Sequence, residues 1–273
     1  MKYEILHSRS IIKVSGLDAV NFLQGLTTNL ISKSSVCYSL MLSSQGRYLC
    51  DFFVFPCDDS FYLSIISSAK ERLLQKLKFY KLRSKVDIID ESSRYKHLYG
   101  HSLLDAKTFK DPRNKQLGFW SIVLDEDIQK LDPKLICSNL YNQDKYELAI
   151  PEGDIDMLPD KALPPEYGID MLHGISYTKG CYIGQEVIAR TKYQGIVRKK
   201  ICSATLTNYL SDDLSNYHHG SQITFEGQKI GILTSSFGNK AIALIRTHED
   251  GSLPSSAYIG EQKVLIKLAT WYM

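Results

Sequence analysis

The chain has 273 residues, 44% of them hydrophobic and 23% charged, which is enough for two or three domains with cores of their own and is unlike a disordered chain. The 33 Lys and Arg against 30 Asp and Glu leave a net charge of +3, too little for a nucleic-acid binder that works by neutralising phosphates, so any anion site must be local. No apolar run approaches the roughly 18 residues of a membrane span, and the opening Met1-Lys2-Tyr3-Glu4 has neither a signal h-region nor an Arg-rich presequence, so a cytoplasmic protein is expected.

Residues 11–14 read as a strand, after which Ser15 and Asp18 form an S-x-x-D box opening a helix with Leu17, Val20, Leu23 and Leu26 on one face; Gly25 ends it near Thr27. Residues 48–55 and 61–66, rich in aromatic and β-type residues around an Asp58-Asp59-Ser60 turn, predict a hairpin. A second helix opens on the Ser68/Glu71 box. Leu73, Leu74, Leu77 and Leu82 form its core-facing stripe, with Lys70, Lys76, Lys78 and Lys81 in water. A strand at 86–89 completes the order strand, helix, two strands, helix, strand, the ferredoxin-like split βαβ of an α+β fold.

The middle carries turn signals at Asp111-Pro112-Arg113-Asn114 and Asp132-Pro133, a short strand at 122–124 and a proline-punctuated loop at 158–165. His97 and His101 are four apart, a metal spacing on a helix, but Tyr99-Gly100 lies between them without a helical stripe, so no metal site is expected. Beyond Arg198 the pattern is all-β, with strands around 222–225, 230–233 and 241–245 separated by Glu226-Gly227 and Gly238-Asn239, as in a small barrel. The division expected is 1–95, 96–195 and 196–273. Six scattered cysteines without a C-x-x-C pair favour reduced thiols over a disulfide framework.

Lys179-Gly180-Cys181-Tyr182-Ile183-Gly184-Gln185-Glu186 places a thiol, an amine and a carboxylate on a glycine-shaped loop. Gly180 and Gly184 leave room around Cys181, and Lys179 is close enough in sequence to set an ammonium beside the sulfur and favour thiolate. No His stands nearby in a hydrolase signature, the nearest being His173-Gly174, so a cysteine hydrolase is disfavoured.

The KGCYIGQE run, with Val187-Ile188-Ala189-Arg190, Gly195-Ile196-Val197-Arg198-Lys199, Pro151-Glu152-Gly153, Glu166-Tyr167-Gly168-Ile169-Asp170, Ser44-Gln45-Gly46-Arg47, Asp51-Phe52-Phe53-Val54 and Tyr80-Lys81-Leu82-Arg83, resembles the YgfZ-type folate-binding proteins, relatives of the glycine-cleavage aminomethyltransferase. The resemblance implies three domains in a ring with ferredoxin-like units and a C-terminal barrel, tetrahydrofolate in the central opening, and support of iron–sulfur protein assembly or repair, including clients such as radical-SAM tRNA-modifying enzymes. It implies iron–sulfur client or assembly proteins as partners, and neither direct nucleic-acid contact nor a membrane. Cys181 and Lys179 become the candidate reactive pair. Glu166 is the candidate pterin carboxylate, Arg83, Arg190, Lys192 and Arg198 the candidates for folate's glutamate tail, and Asp51, Tyr182, Gln185 and Glu186 further contacts. A folate-dependent one-carbon transferase is the alternative, but Cys50 stands where the transferases carry one of two adjacent aspartates, and Leu30 follows Thr28-Asn29 where relatives often have Asp. A single thiol does not hold a cluster alone. Sulfur exchange, a redox cycle and transient ligation all stay open.

Overall fold

A computed structural model describes residues 2–103, 108–207, 214, 217–248 and 250–272. The chain runs β1 (Tyr3–Ile5), β2 (Arg9–Ser15), α1 (Ala19–Leu26), β3 (Cys37–Leu42), β4 (Tyr48–Cys57), β5 (Ser60–Ile66), α2 (Lys70–Lys81) and β6 (Asp87–Asp90). There follow β7 (Tyr95–Gly100), β8 (Thr108–Lys110), β9 (Phe119–Leu124), α3 (Asp125–Ile128), β10 (Ile136–Cys137), α4 (Leu140–Glu147), α5 (Gly153–Asp156) and α6 (Gln185–Gln194). The last part is β11 (Lys199–Leu206), β12 (Gln222–Phe225), β13 (Gln228–Phe237), β14 (Lys240–Arg246), β15 (Ser256–Ile259) and β16 (Gln262–Leu268).

The first sheet has the order β3-β4-β5-β2-β6, with every neighbouring pair antiparallel. β5 and β6 therefore run parallel on either side of β2 with α2 between them, a split βαβ unit. β3 is a strand that the sequence pattern did not reveal. It lies at the sheet edge beside β4, pairing Cys37 with Val54 and Leu40 with Asp51. Both faces of this sheet are buried, which explains the unbroken apolar run of β4. Phe52, Val54, Leu63 and Ile12 pack under α1 and α2 against Leu23, Leu73 and Leu77, whereas Tyr38, Phe53 and Phe55 face the aromatic core shared with the second sheet.

That second sheet, β10-β1-β7-β9-β8, takes its β1 from the start of the chain, so the N-terminal and middle segments are interleaved. A closed barrel, β11-β14-β13-β12-β15-β16, forms the C-terminal part. Its β12–β13 hairpin turns on Glu226 and Gly227 at φ 50° and 75°, the paired positive angles that match strand twist in a two-residue turn. The α+β class and the small C-terminal barrel expected from the sequence are both present.

Two helix readings need correction. α1 begins at Ala19, so Leu17 lies before it and is 86% exposed, and the Asp18 side chain accepts from the Lys85 amide instead of capping the helix. α2 ends at Lys81. Leu82 follows it at φ 41° and is 86% exposed, outside the buried stripe. His97 is sealed among Phe55 and Trp120, where burial pushes its pKa well below the usual range, while His101 pairs on the surface with Asp144 at 2.5 Å.

A buried run of charges joins the two sheets to the barrel. Arg9 spans the rings of Phe53 and Trp120, and its guanidinium donates to Glu152 at 2.5 Å and to Ser64 at 2.9 Å. Lys145 reaches Glu152 at 3.7 Å and Asp156 at 3.3 Å, and Asp156 accepts from the barrel hydroxyls of Thr234 and Ser235 at 2.6 Å each. Burial raises the Glu152 pKa, but Arg9, then Lys145 and Arg113, outweigh it and hold the carboxyl below its ordinary range. A carboxylate with a depressed folded pKa stabilises above its unfolded value, about 4.3, and loses that contribution as pH falls through the folded one. Lys145→Met, which takes the buried cation from Asp156 and one of two from Glu152, is expected to cost about 3–5 kcal/mol in urea unfolding, mostly as a lower midpoint at unchanged slope. Adding Asp156→Asn should recover part of that loss; full wild-type stability in the single variant would show that the network carries no weight.

Candidate functional site

The segment after α5 returns to the first sheet and is fastened to the end of α1. Thr28 Oγ1 donates to the Gly174 carbonyl at 2.7 Å, the Ser176 amide donates to the Thr28 carbonyl at 2.9 Å, and Asn29 Nδ2 donates to His173 O at 2.6 Å. Lys179 completes this seam. Its side chain is buried, and the ammonium donates to the carbonyls of Gln24 at 2.9 Å, Thr27 at 2.6 Å and Asn29 at 2.8 Å. Gln24 and Thr27 lie at the C-terminal end of α1, where carbonyls are left unpaired and the helix dipole favours a cation, and Asn29, just beyond, also accepts from Thr27 Oγ1 at 3.3 Å. The ammonium also lies 5.2 Å from the Tyr182 ring centroid. The sequence reading therefore needs correction: Lys179 turns inward to lock the loop, and its hydrogen bonds are not directed at Cys181. Burial pushes the Lys179 amine down to about 8, against a smaller upward pull from Cys37, and the three carbonyls engage it as a donor at neutral pH.

Beyond Lys179 the loop is shaped by glycine. Gly184, at φ 82°, sits where a Cβ would fall 2.5 Å from the Ser43 carbonyl and 3.1 Å from Gly46 Cα, while a Cβ on Gly46, at φ 70°, would meet the Val187 side chain at 2.9 Å. The Ser44–Arg47 turn and the start of α6 thus meet backbone to backbone, a contact only glycine permits at both positions. A Cβ on Gly180, by contrast, would meet nothing within 4 Å. Between these points Cys181 is exposed, alone among the six cysteines. Burial pushes the Cys37 and Cys202 thiols up to about 12 and that of Cys50 higher still. Tyr182 is buried, its hydroxyl without a hydrogen-bond partner among the described residues and its pKa raised by burial to about 12.

The remaining candidates fall in several places. Gln185 opens α6, its Oε1 accepting from the Tyr182 amide at 3.2 Å. Glu186 and Arg190 pair with each other at 2.8 Å on the exposed face of that helix. Glu166 lies in a 3-10 turn and receives Lys199 at 3.1 Å. Arg198 lines a cavity of about 650 Å³ with Lys200, Arg246, Thr247 and His248. Arg83 stands apart from all of these, on the turn after α2. Asp51 is 5% exposed and accepts from Tyr38 at 2.6 Å, Tyr48 at 2.9 Å and the Gly153 amide at 3.3 Å. Burial raises its pKa against the opposing hydrogen bond from Tyr38, so it reads as a structural knot between β4 and α5. The sequence reasoning missed Tyr38, Tyr48, Arg9 and Lys145; Arg9 meets Glu152 and Tyr48 meets Asp154 only across 143 and 106 positions of chain, while Tyr38 reaches Asp51 across the β3–β4 pairing that the pattern did not show.

Comparison with known proteins fits this architecture. Residues 6–100 match the GCVT N-terminal domain. The chain is 30% identical to the mitochondrial iron–sulfur cluster assembly factor IBA57 homolog of Pyricularia oryzae, covering 89% of this chain and 71% of that protein. It is 31% identical to the mouse mitochondrial protein IBA57, covering 89% and 76%, and 30% identical to the human one, covering 95% and 82%. The crystal structure of glycine cleavage system aminomethyltransferase T from Bartonella henselae superposes with a TM-score of 0.77 at 13% identity, over 100% of this chain and 86% of that one, a likeness of fold. These relatives are mitochondrial by name, which overturns the cytoplasmic expectation. That expectation rested on finding no membrane-spanning run, no signal h-region and no Arg-rich presequence, all weak signals of compartment.

Lys179→Met takes the ammonium donor from the carbonyls of Gln24, Thr27 and Asn29, and a loss of about 2–4 kcal/mol is expected in denaturant unfolding, with faster protease cleavage in the 178–184 loop. The pH dependence has a defined sign. With a folded pKa near 8 and an unfolded value of about 10.4, the folded state releases this proton first, so the Lys179 contribution grows more favourable as pH rises across that window. Parallel stability curves for wild type and Lys179→Met from pH 7 to 10 would contradict the buried, carbonyl-bound amine.

Proposed function

The chain belongs to the family of the iron–sulfur cluster assembly factor IBA57, and we propose that it supports iron–sulfur protein assembly or repair by presenting the Cys181 thiol next to a reduced-folate site. The observation that carries this reading is the built presentation of Cys181. An anchoring lysine fixes the loop on one side, a glycine-to-glycine seam fixes it on the other, and the single exposed thiol of the chain stands between them. Loops that only turn the chain do not need a buried ammonium.

Tetrahydrofolate is the proposed ligand, on the narrower likeness of the KGCYIGQE run to YgfZ-type folate-binding proteins. Glu166, partly exposed and already partnered by Lys199, is the proposed carboxylate for the pterin's amino-pyrimidine edge. Arg198, with Lys200 and Arg246 in the neighbouring cavity, is the proposed cation for the glutamate tail. Cluster enzymes such as radical-SAM tRNA-modifying enzymes are the proposed beneficiaries. One-carbon transfer is the second reading. It is disfavoured because Cys50 is fully buried and burial keeps its thiol protonated, so position 50 supplies no fixed negative charge.

In cells depleted of this protein, wild type is expected to restore a cluster-dependent enzyme, while Cys181→Ala does not. Cys181→Ala should bind tetrahydrofolate in calorimetry with unchanged affinity, and Glu166→Ala should bind it roughly tenfold more weakly or worse. Limiting haloacetamide should label Cys181 ahead of Cys37, Cys50 and Cys202. Full rescue by Cys181→Ala would remove the thiol from the mechanism, and absence of heat with tetrahydrofolate would remove the folate.

A further inference from the structure

Outside this region the chain carries a second feature that the folate and cluster reading does not use. The Gly16-Leu17-Asp18 turn before α1 and the 79–85 segment after α2 are pinned together: the Asp18 amide donates to the Lys85 carbonyl at 3.3 Å, and the Lys85 amide donates to Asp18 Oδ2 at 2.7 Å. A Cβ on Gly16 would lie 2.3 Å from that same carbonyl. From this joined tip Leu17 and Leu82 project at 86% exposure each and Phe79 at 70%. Leu82 holds φ 41°, an angle costly for a branched residue and not repaid here by packing.

Charge surrounds these apolar tips. Lys78, Arg83 and Lys85 are exposed, with Lys76 and Lys81 half-buried behind them. The earlier cations of α2 are engaged, Lys70 with Asp90 and Arg72 with Asp154, but the five later ones make no ion pair among the described residues. The facing acids are Asp18, occupied by the Lys85 amide, and Asp87 at the start of β6. Asp18, Tyr80, Leu82, Arg83 and Ser84 line a shallow cavity of about 680 Å³ between the two turns.

We infer that this tip is a peripheral docking site for an anionic phospholipid surface. Leu17, Leu82 and Phe79 protrude instead of lining a groove, which suits shallow insertion at the headgroup boundary. Lysines and arginines beside them extend along apolar surface and place their charges at the phosphates. Arg83 and the Tyr80 cavity offer a fork and a hydroxyl to one headgroup phosphodiester. No described helix is long and apolar enough to cross a membrane, so attachment is interfacial and reversible, and it makes no use of Cys181 or Glu166.

Sedimentation of the full chain with phosphatidylcholine vesicles, with and without phosphatidylglycerol, tests this. Wild type is expected to partition onto the anionic vesicles and to be released by salt. Lys78→Glu with Arg83→Glu, and separately Leu17→Ser with Leu82→Ser, should each lower partitioning roughly tenfold or more. Leu82→Gly separates docking from folding, since it removes an apolar tip while relieving the left-handed backbone: Tm should rise as vesicle binding falls. Equal sedimentation with and without phosphatidylglycerol, or unchanged binding of the Leu pair variant, overturns the inference. Tight capture on immobilised polyglutamate that ignores Leu17 and Leu82 also overturns it, in favour of an acidic protein at this surface.

Discussion

Arg9, Glu152, Lys145 and Asp156 are taken almost wholly out of water, and each ion so buried costs several kcal/mol unless an opposite charge stands within reach. Alternation of sign along the series meets that requirement only when β2, α4, α5 and the barrel strand carrying Thr234 and Ser235 come together in one arrangement. Apolar cores tolerate repacking. This series does not, because sliding any one element leaves a bare charge. It therefore fixes where α5 ends, and hence where the long return toward α1 begins.

The return segment has little regular structure, and its order comes from borrowed hydrogen-bonding groups. The carbonyls at the end of α1 would otherwise face solvent or Lys179's neighbours unpaired, and the segment would otherwise have a loose end. Each supplies what the other lacks. The cost is a lysine amine in a poorly hydrated place, which explains why its pKa is driven down to about 8. With Lys179 drawn inward and Ile183 packed against the core under α1 and α2, the intervening Cys181 faces outward. Exposure of the thiol thus follows from the burial of its neighbours.

Periodicity made the first sheet's hairpin, both helices and the barrel legible, since each buries a face at a fixed repeat. The failures have local causes. Leu17 and Leu82 match the apolar rhythm of the helices beside them, but they lie past the helix ends, where the rhythm no longer says which way a side chain points. β3 was hidden because Cys37-Tyr38-Ser39-Leu40 mixes buried polar and apolar residues, Ser39 being satisfied by Thr28 and the Asn29 amide. β1 pairs Tyr3 with Gly100 on one side and with Ile136 on the other, and three residues carry no period to read. At the site, the loop's glycines and its thiol were plain in the sequence. Lys179's role was not, because two positions of separation suggest proximity to Cys181 while the partners that decide the matter lie about 150 residues upstream.

The likeness to an aminomethyltransferase fold sharpens the meaning of what stands at positions 50 and 51. Asp51 keeps its carboxylate, but Tyr38, Tyr48 and the Gly153 amide consume it as a tie between β4 and α5. Cys50, on the opposite face of the same strand, is packed under the helices and stays protonated. Both are engaged by the protein's own frame, and a charge helps catalysis only when it is preorganised toward a reacting centre. Nearby, the seam at Gly46 and Gly184 sets how closely the first sheet and α6 approach. With position 50 under the helices and Asp51 tied to its neighbours, the exposed thiol of Cys181 stands instead on the loop beside that seam.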